Sequence, residues 1–321
     1  MLTLQKKPAL DLFIQTCTPL YRIPSLEDAM RTRVQDIVRD LLAFTPKTEP
    51  VESLTQFLQA DPNFLGVLLA LTNLSQERFL RILTAERFAT ADYGVEWNVD
   101  RIYKMMKRDA DFAERVARLF LEGKNSEILV RQVADFYLQQ LSLPENWQEM
   151  IRDESVIKNI VRKKLAGEYA DRKGAAIESI IEAQLDALSG KYGLGHEHGQ
   201  VKLVGKEVDH AVPSLADPYV MIMTSYLETT SSNQTQRANE QQAMYEKVIG
   251  NNVRYGEERV LVNVVDGGGW LARRSDLRKL HQGCHYCLNL NMLYQLEAII
   301  CRHVPARFFT NALRPTVEME S

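Results

Sequence analysis

From about residue 25 to 190, apolar residues recur three and four apart, and capping residues stand where helices would begin. Ser25 precedes a run in which Met30, Val34, Ile37, Val38, Leu41 and Leu42 line one face. Ser75 stands before QERFLRILTAERF, and Asn98 before VDRIYKMMKRDADFAERVARLFL. Each has a side-chain oxygen able to accept from a free backbone N–H of the first turn. Pro46, Pro50, Pro62 and Pro144 fall between the periodic segments, where a missing N–H costs least. The first half therefore predicts an all-helical module.

Beyond Gly190 the pattern shortens to apolar runs separated by Gly, Pro, Asn and Ser, the signature of strands and their loops. Strands are predicted at residues 200–204, 207–212, 219–226 and 259–265, with polar or apolar helix-compatible stretches at 234–249 and 288–303. Strands interleaved with helices predict an α/β fold class. The expected organisation is an all-helical domain over residues 1–164, followed by an α/β domain with a mixed sheet over 165–321.

Composition narrows this only in part. A chain of 321 residues with 45% hydrophobic and 25% charged side chains fits a globular protein. No apolar run approaches the roughly 20 residues that cross a bilayer. The opening MLTLQKKPALDLF lacks the apolar core and cleavage site of a signal peptide, so a cytoplasmic location is expected. The net charge of −3 gives no overall nucleic-acid signature, which leaves two local basic clusters to weigh. One holds Lys158, Arg162, Lys163 and Lys164 with Arg172 and Lys173, the other Arg273, Arg274, Arg278 and Lys279. Each reads either as a solvated face or as a phosphate contact.

Cysteine and histidine patterns are weaker signals. Cys284, Cys287, Cys301 and His303 spell C-x2-C-x13-C-x-H, enough soft ligands for tetrahedral zinc. However, Cys287 and Cys301 lie among Leu288, Leu290, Leu293, Leu296, Ile299 and Ile300, which favours buried, inert thiols. His196 and His198 in HEHG are two apart, not the four that would put both on one face of a zinc-binding helix, so an ordinary loop or a DNA contact is expected there.

Candidate chemistry lies in the second half. Phosphodiester hydrolysis needs a carboxylate-held divalent cation to activate water and to offset charge gathering on the phosphate. Acids suited to that task are Glu178 in RKGAAIESIIEAQLDAL and Asp209 in KEVDHAV, ahead of the turn VPSLADP. Taken singly, Asp209 is also a turn-favouring residue and Glu178 a solvated helix acid. Asp266 in VDGGGW shapes a turn whose glycines supply positive φ.

The succession RKGAAIESIIEAQL, a Gly-rich spacer, KEVDHAVP and PYVMIMTSYLETTSSNQT resembles the helix, acidic turn and second catalytic strand of type II restriction endonucleases of the PD-(D/E)XK superfamily. VLVNVVDGGGWLARRSDLRKL resembles a segment downstream of that site, so the likeness covers roughly residues 165–300. It implies Asp209 as principal metal ligand, Glu178 as supporting acid, and Mg2+ as cofactor with Mn2+ able to substitute. Where the family has an acid and then a lysine on the second strand, this chain has Thr224, Ser225 and Tyr226, with Glu228 following.

Two functional expectations remain open. Either Ser225 or Gln234 positions the water in a working site-specific endonuclease, or the chain is a degenerate nuclease that binds DNA without cutting. In both, double-stranded DNA is the partner, met by Thr230, Ser231, Ser232 and Asn233 together with Arg273 and Arg274. A palindromic target would call for a homodimer, with the helical half giving sequence reading or dimer contacts.

Overall fold

The computed structural model describes residues 1–320. The chain opens with strand β1 (Leu2–Leu4) and helix α1 (Leu10–Thr16). Helices follow: α2 (Pro24–Ala43), α3 (Pro50–Ala60), α4 (Pro62–Leu71), α5 (Gln76–Ala89), α6 (Val99–Arg108), α7 (Ala110–Glu122), α8 (Glu127–Gln132), α9 (Asp135–Leu138) and α10 (Trp147–Met150). Ser75 Oγ accepts from Arg78 N and Asn98 Oδ1 from Arg101 N, the caps that the sequence predicts. Helix α2 begins at Pro24, so Ser25 lies inside its first turn.

The long periodic run after Asn98 is two helices. Asp109 leaves helical geometry, and its Oδ1 accepts from Phe112 N at 3.0 Å, capping α7. Pro50 and Pro62 occupy first-turn positions of α3 and α4, where proline's fixed φ suits a helix start. Phe57 stacks on Phe64 at 4.5 Å and meets Trp147 edge-on, among the fully buried Leu41, Leu54, Leu58, Leu65 and Leu68.

The helical unit is Pro24–Asp171, and the second unit joins residues 1–23 to the chain from Arg172 onward. The division falls within the 39-residue helix α11 (Glu154–Tyr192), not at residue 164, and the first 23 residues count with the sheet.

After α11 come strands β2 (Glu197–Val201), β3 (Lys206–Val212) and β4 (Val220–Tyr226), helix α12 (Gln234–Tyr255), then β5 (Val260–Asp266), α13 (Gly268–Ala272), α14 (Arg274–Gln282), β6 (Tyr286–Leu288), α15 (Leu296–His303) and β7 (Val317–Met319). The five-stranded sheet runs β2-β3-β4-β5-β6, antiparallel through the first three strands and parallel through the last three. It is a mixed sheet, as the sequence predicts. β1 pairs in parallel with β7 as a separate ribbon.

Register divides the sheet's two faces. Ala211, Met221 and Leu261 stand in one row and pack with Met244 and Val248 of α12. The next row, Val212, Val220 and Val260, belongs to the core that includes Ile177, Ile181 and Leu185 of α11. Because side chains alternate along a strand, α12 covers the odd-numbered face of β4 and α11 the even-numbered face, while in β3 a register shift brings Val208 as well as Ala211 to the α12 side.

Candidate functional site

Asp209 lies at the register shift of β3, between Val208 and Ala211, which both pack on the α12 side of the sheet. Its Oδ2 accepts from Thr224 N at 2.6 Å, across from β3 on β4, while among the described residues Oδ1 accepts no hydrogen bond. Burial pushes its carboxyl above the ordinary aspartate range. The Thr224 N–H, then His198 and Arg237, pull the other way, and Glu207 two residues earlier adds to the upward push. Ser225 of β4 is buried on the α12 side, and its Oγ accepts from Arg237 Nη1 at 3.0 Å. Asp209 and Ser225 are thus brought together, with Arg237 of α12 beside both.

Glu178 is not brought to them. It projects from α11, on the far side of the sheet, and is exposed, with no hydrogen bond or ion pair among the described residues. Tyr226 and Thr224 also face that side. Tyr226 Oη accepts from Tyr21 N and donates to Glu228 Oε1, and Glu228 holds the buried Lys173 of α11 in an ion pair. Glu228, the acid after the strand, is thus engaged with Tyr226 and Lys173 and not with Asp209. Thr224 Oγ1 is buried without a hydrogen-bond partner.

Gln234 is buried, and both ends of its amide are engaged in local structure. Oε1 accepts from Ser231 N at 2.9 Å, and Nε2 donates to Gly269 O at 3.0 Å, so it ties the 229–233 loop to the glycine turn. Thr230, Ser232 and Asn233 are exposed on that loop, with Ser231 half-buried. Arg274 is exposed, and Arg273 approaches the buried carboxylate of Asp276 at 3.8 Å.

In the glycine turn only Gly267 has positive φ, at 103°. Gly269 is needed for close approach, since a Cβ there would stand 2.3 Å from Thr229 O. Asp266 is structural: its carboxylate accepts from Thr18 N, Gly267 N and Leu290 N, while burial pushes its pKa up.

No family model, curated protein or solved structure matches the chain.

The other candidates take local partners. His198 Nε2 lies 3.1 Å from Glu207 and its Nδ1 3.1 Å from Asp209 O, whereas His196 pairs with Asp186 at 2.9 Å. Glu197, His198 and Gly199 of HEHG lie in strand β2, and His196 in the loop just before it. Cys284 donates to His281 O, and burial pushes the Cys301 thiol up to about 11. His303 is held between Tyr286 Oη and Glu258 O. Among the described residues, no group of three or more His, Cys, Asp or Glu is poised to hold a metal ion.

In the first basic cluster Lys158 pairs with Glu154, Lys163 donates to Asn73 and Lys164 to Asn63, so these cations serve the helical unit itself. No helix among the described residues is long and apolar enough to cross a membrane.

Sequence reasoning missed Arg237, and it read Lys173 as part of a basic cluster, not as the buried partner of Glu228. Arg237 sits in the polar run QTQRANEQQ, which announces a helix but not which residue turns toward the sheet.

Proposed function

We propose that the sheet unit is the catalytic domain of a site-specific double-strand DNA endonuclease, with a divalent cation held at Asp209. Asp209 itself carries this reading: a half-buried carboxylate at a strand junction, with one oxygen fixed by Thr224 N and the other open. Magnesium suits such a place, because it takes one or two protein carboxylates and fills its remaining positions with water and substrate phosphate. Bound there, it would supply activation of water and offset charge on the phosphate. The chain's own residues hold the acid in place and present an exposed hydroxyl and amide loop, Thr230, Ser232 and Asn233, to the backbone. The helical unit is assigned sequence reading or dimer contacts.

A second reading, a DNA-binding protein that does not cut, is favoured by one observation. Among the described residues, Asp209 belongs to no group of three or more His, Cys, Asp or Glu that could hold a metal ion, and Glu178 lies across the sheet.

Incubation with supercoiled plasmid and magnesium separates the two. Discrete fragments support the endonuclease. Asp209→Asn should then lower the cutting rate by about a thousandfold or more while DNA binding persists, and Glu178→Gln should cut near the wild-type rate. Binding without cutting supports the second reading, and a chain that does neither overturns both.

A further inference from the structure

Two successive residues of β4 fix an acid and a cation side by side. Thr224 N holds Asp209 Oδ2, and the buried Ser225 Oγ holds Arg237 Nη1. Arg237 is otherwise exposed, and a guanidinium carries five N–H donors in a planar fork. It makes no ion pair among the described residues. Glu240, three residues on, accepts from Gln236 Nε2 at 3.0 Å and lies 3.7 Å from Lys206.

The buried cations Lys173 and Arg259 of this unit are taken up by acids, Lys173 by Glu228 and Arg259 by Asp217 and Glu257. Lys173 also lies on the α11 side of the sheet. Arg237 therefore combines an anchor, a free donor set and a place close enough to the half-buried Asp209 for its charge to act on that carboxyl. An anion bound there would meet the guanidinium's N–H donors, and a divalent cation, if held by Asp209, would offset its charge.

We infer that Arg237 is a catalytic phosphate-binding residue, donating to a non-bridging oxygen of the scissile phosphate beside Asp209. This rests on the endonuclease reading and adds to it the cation that β4 lacks at Tyr226. In the hydrolysis a water oxygen forms a bond to phosphorus. The bond from phosphorus to the leaving ester oxygen breaks, and its electron pair stays on that oxygen. The leaving oxygen takes a proton from solvent, and the attacking water gives one up to solvent. Arg237 keeps its protons throughout, and its hydrogen bonds strengthen as charge gathers on the non-bridging oxygens. Ser225 is a positioning residue, acting through Arg237.

The test compares wild type, Arg237→Ala, Arg237→Lys and Asp209→Asn in single-turnover cleavage with magnesium, and in DNA binding without divalent metal. Arg237→Ala should cut on the order of 100 to 1,000 times more slowly, with affinity reduced by less than about tenfold. Free guanidinium ion should restore part of the rate to Arg237→Ala and none to Asp209→Asn. Arg237→Lys, a point charge without the fork, should fall between. If Arg237→Ala does not fold, Arg237→Gln takes its place.

An Arg237→Ala rate within about twofold of a wild type that cuts would overturn the inference alone. So would a loss matched by lost binding and not rescued by guanidinium. A wild type that cuts no DNA would overturn the endonuclease reading, and the inference with it.

Discussion

Asp209 weakens the fold it belongs to. Burial disfavours its charged form, so its folded pKa stands above its unfolded one. Above the folded pKa the charged carboxylate is a net cost to folding. As pH falls through that value the folded chain takes up the proton first, and the cost fades. Asp209→Asn keeps an oxygen for the Thr224 N–H and removes the charge. It should therefore raise the thermal midpoint by a few degrees near neutral pH, with the gain shrinking as pH is lowered through the carboxylate range. A midpoint that drops at neutral pH, or a gain that grows in acid, would contradict this account. At the same scale Asp209 and Ser225 were legible, because an acid before a turn and a hydroxyl at the end of an apolar strand stand out in a sequence. Glu178 was misplaced because its helix could be read, but not the side of the sheet that the helix covers. Arg237 was invisible for the same reason: its meaning comes from which of its neighbours Ser225 reaches.

Periodicity found the elements well and their ends less well. α12 and the strands β3, β4 and β5 lie close to where alternation and apolar runs put them. The break at Asp109 escaped because the apolar spacing continues through it, although an aspartate three residues before Phe112 is itself a capping signal. The glycine turn shows how far composition alone reaches. Three successive glycines promise positive φ, yet one uses it, and Gly269 is glycine because backbone from the 229–233 loop passes against it. Gly269→Ala must push Thr229 O away and loosen the bond from Gln234 Nε2. A cost of about 1–3 kcal/mol is expected in urea denaturation, the range for overpacking a tight contact. Since the displaced loop carries Thr230, Ser232 and Asn233, DNA affinity should fall with it. Unchanged stability would mean that the loop has room to move and that the turn does not position it.

At the scale of the whole molecule, local pattern could not show that the chain's first residues complete the core of its last half. β1 pairs with β7 as Leu2 with Val317 and Leu4 with Met319, contacts separated by nearly the full length of the sequence. Leu4 and Phe13 are fully buried in the sheet unit's core. Lys7 Nζ donates to His281 O and Cys284 O, and Thr18 N supplies one of the three donors to Asp266. MLTLQKKPALDLF has strand-like alternation and then helical spacing, but nothing in it names its partners. Losing one buried leucine or phenylalanine side chain costs about 2–5 kcal/mol, and a domain is stable by only about 5–15 kcal/mol in total. Deleting residues 1–23 removes both side chains, the partner strand of β7 and a donor to a buried carboxylate, so the sheet unit should no longer hold its fold. Helices over Pro24–Asp171 keep their own aromatic core and none of these contacts, so they should survive the deletion. Hydrogen exchange on the full and shortened chains reads both parts at once. Protection should vanish in β3, β4 and β5 while α3, α4 and α7 remain protected. Strands that stay protected without residues 1–23 would show that this segment decorates the sheet unit and does not complete it.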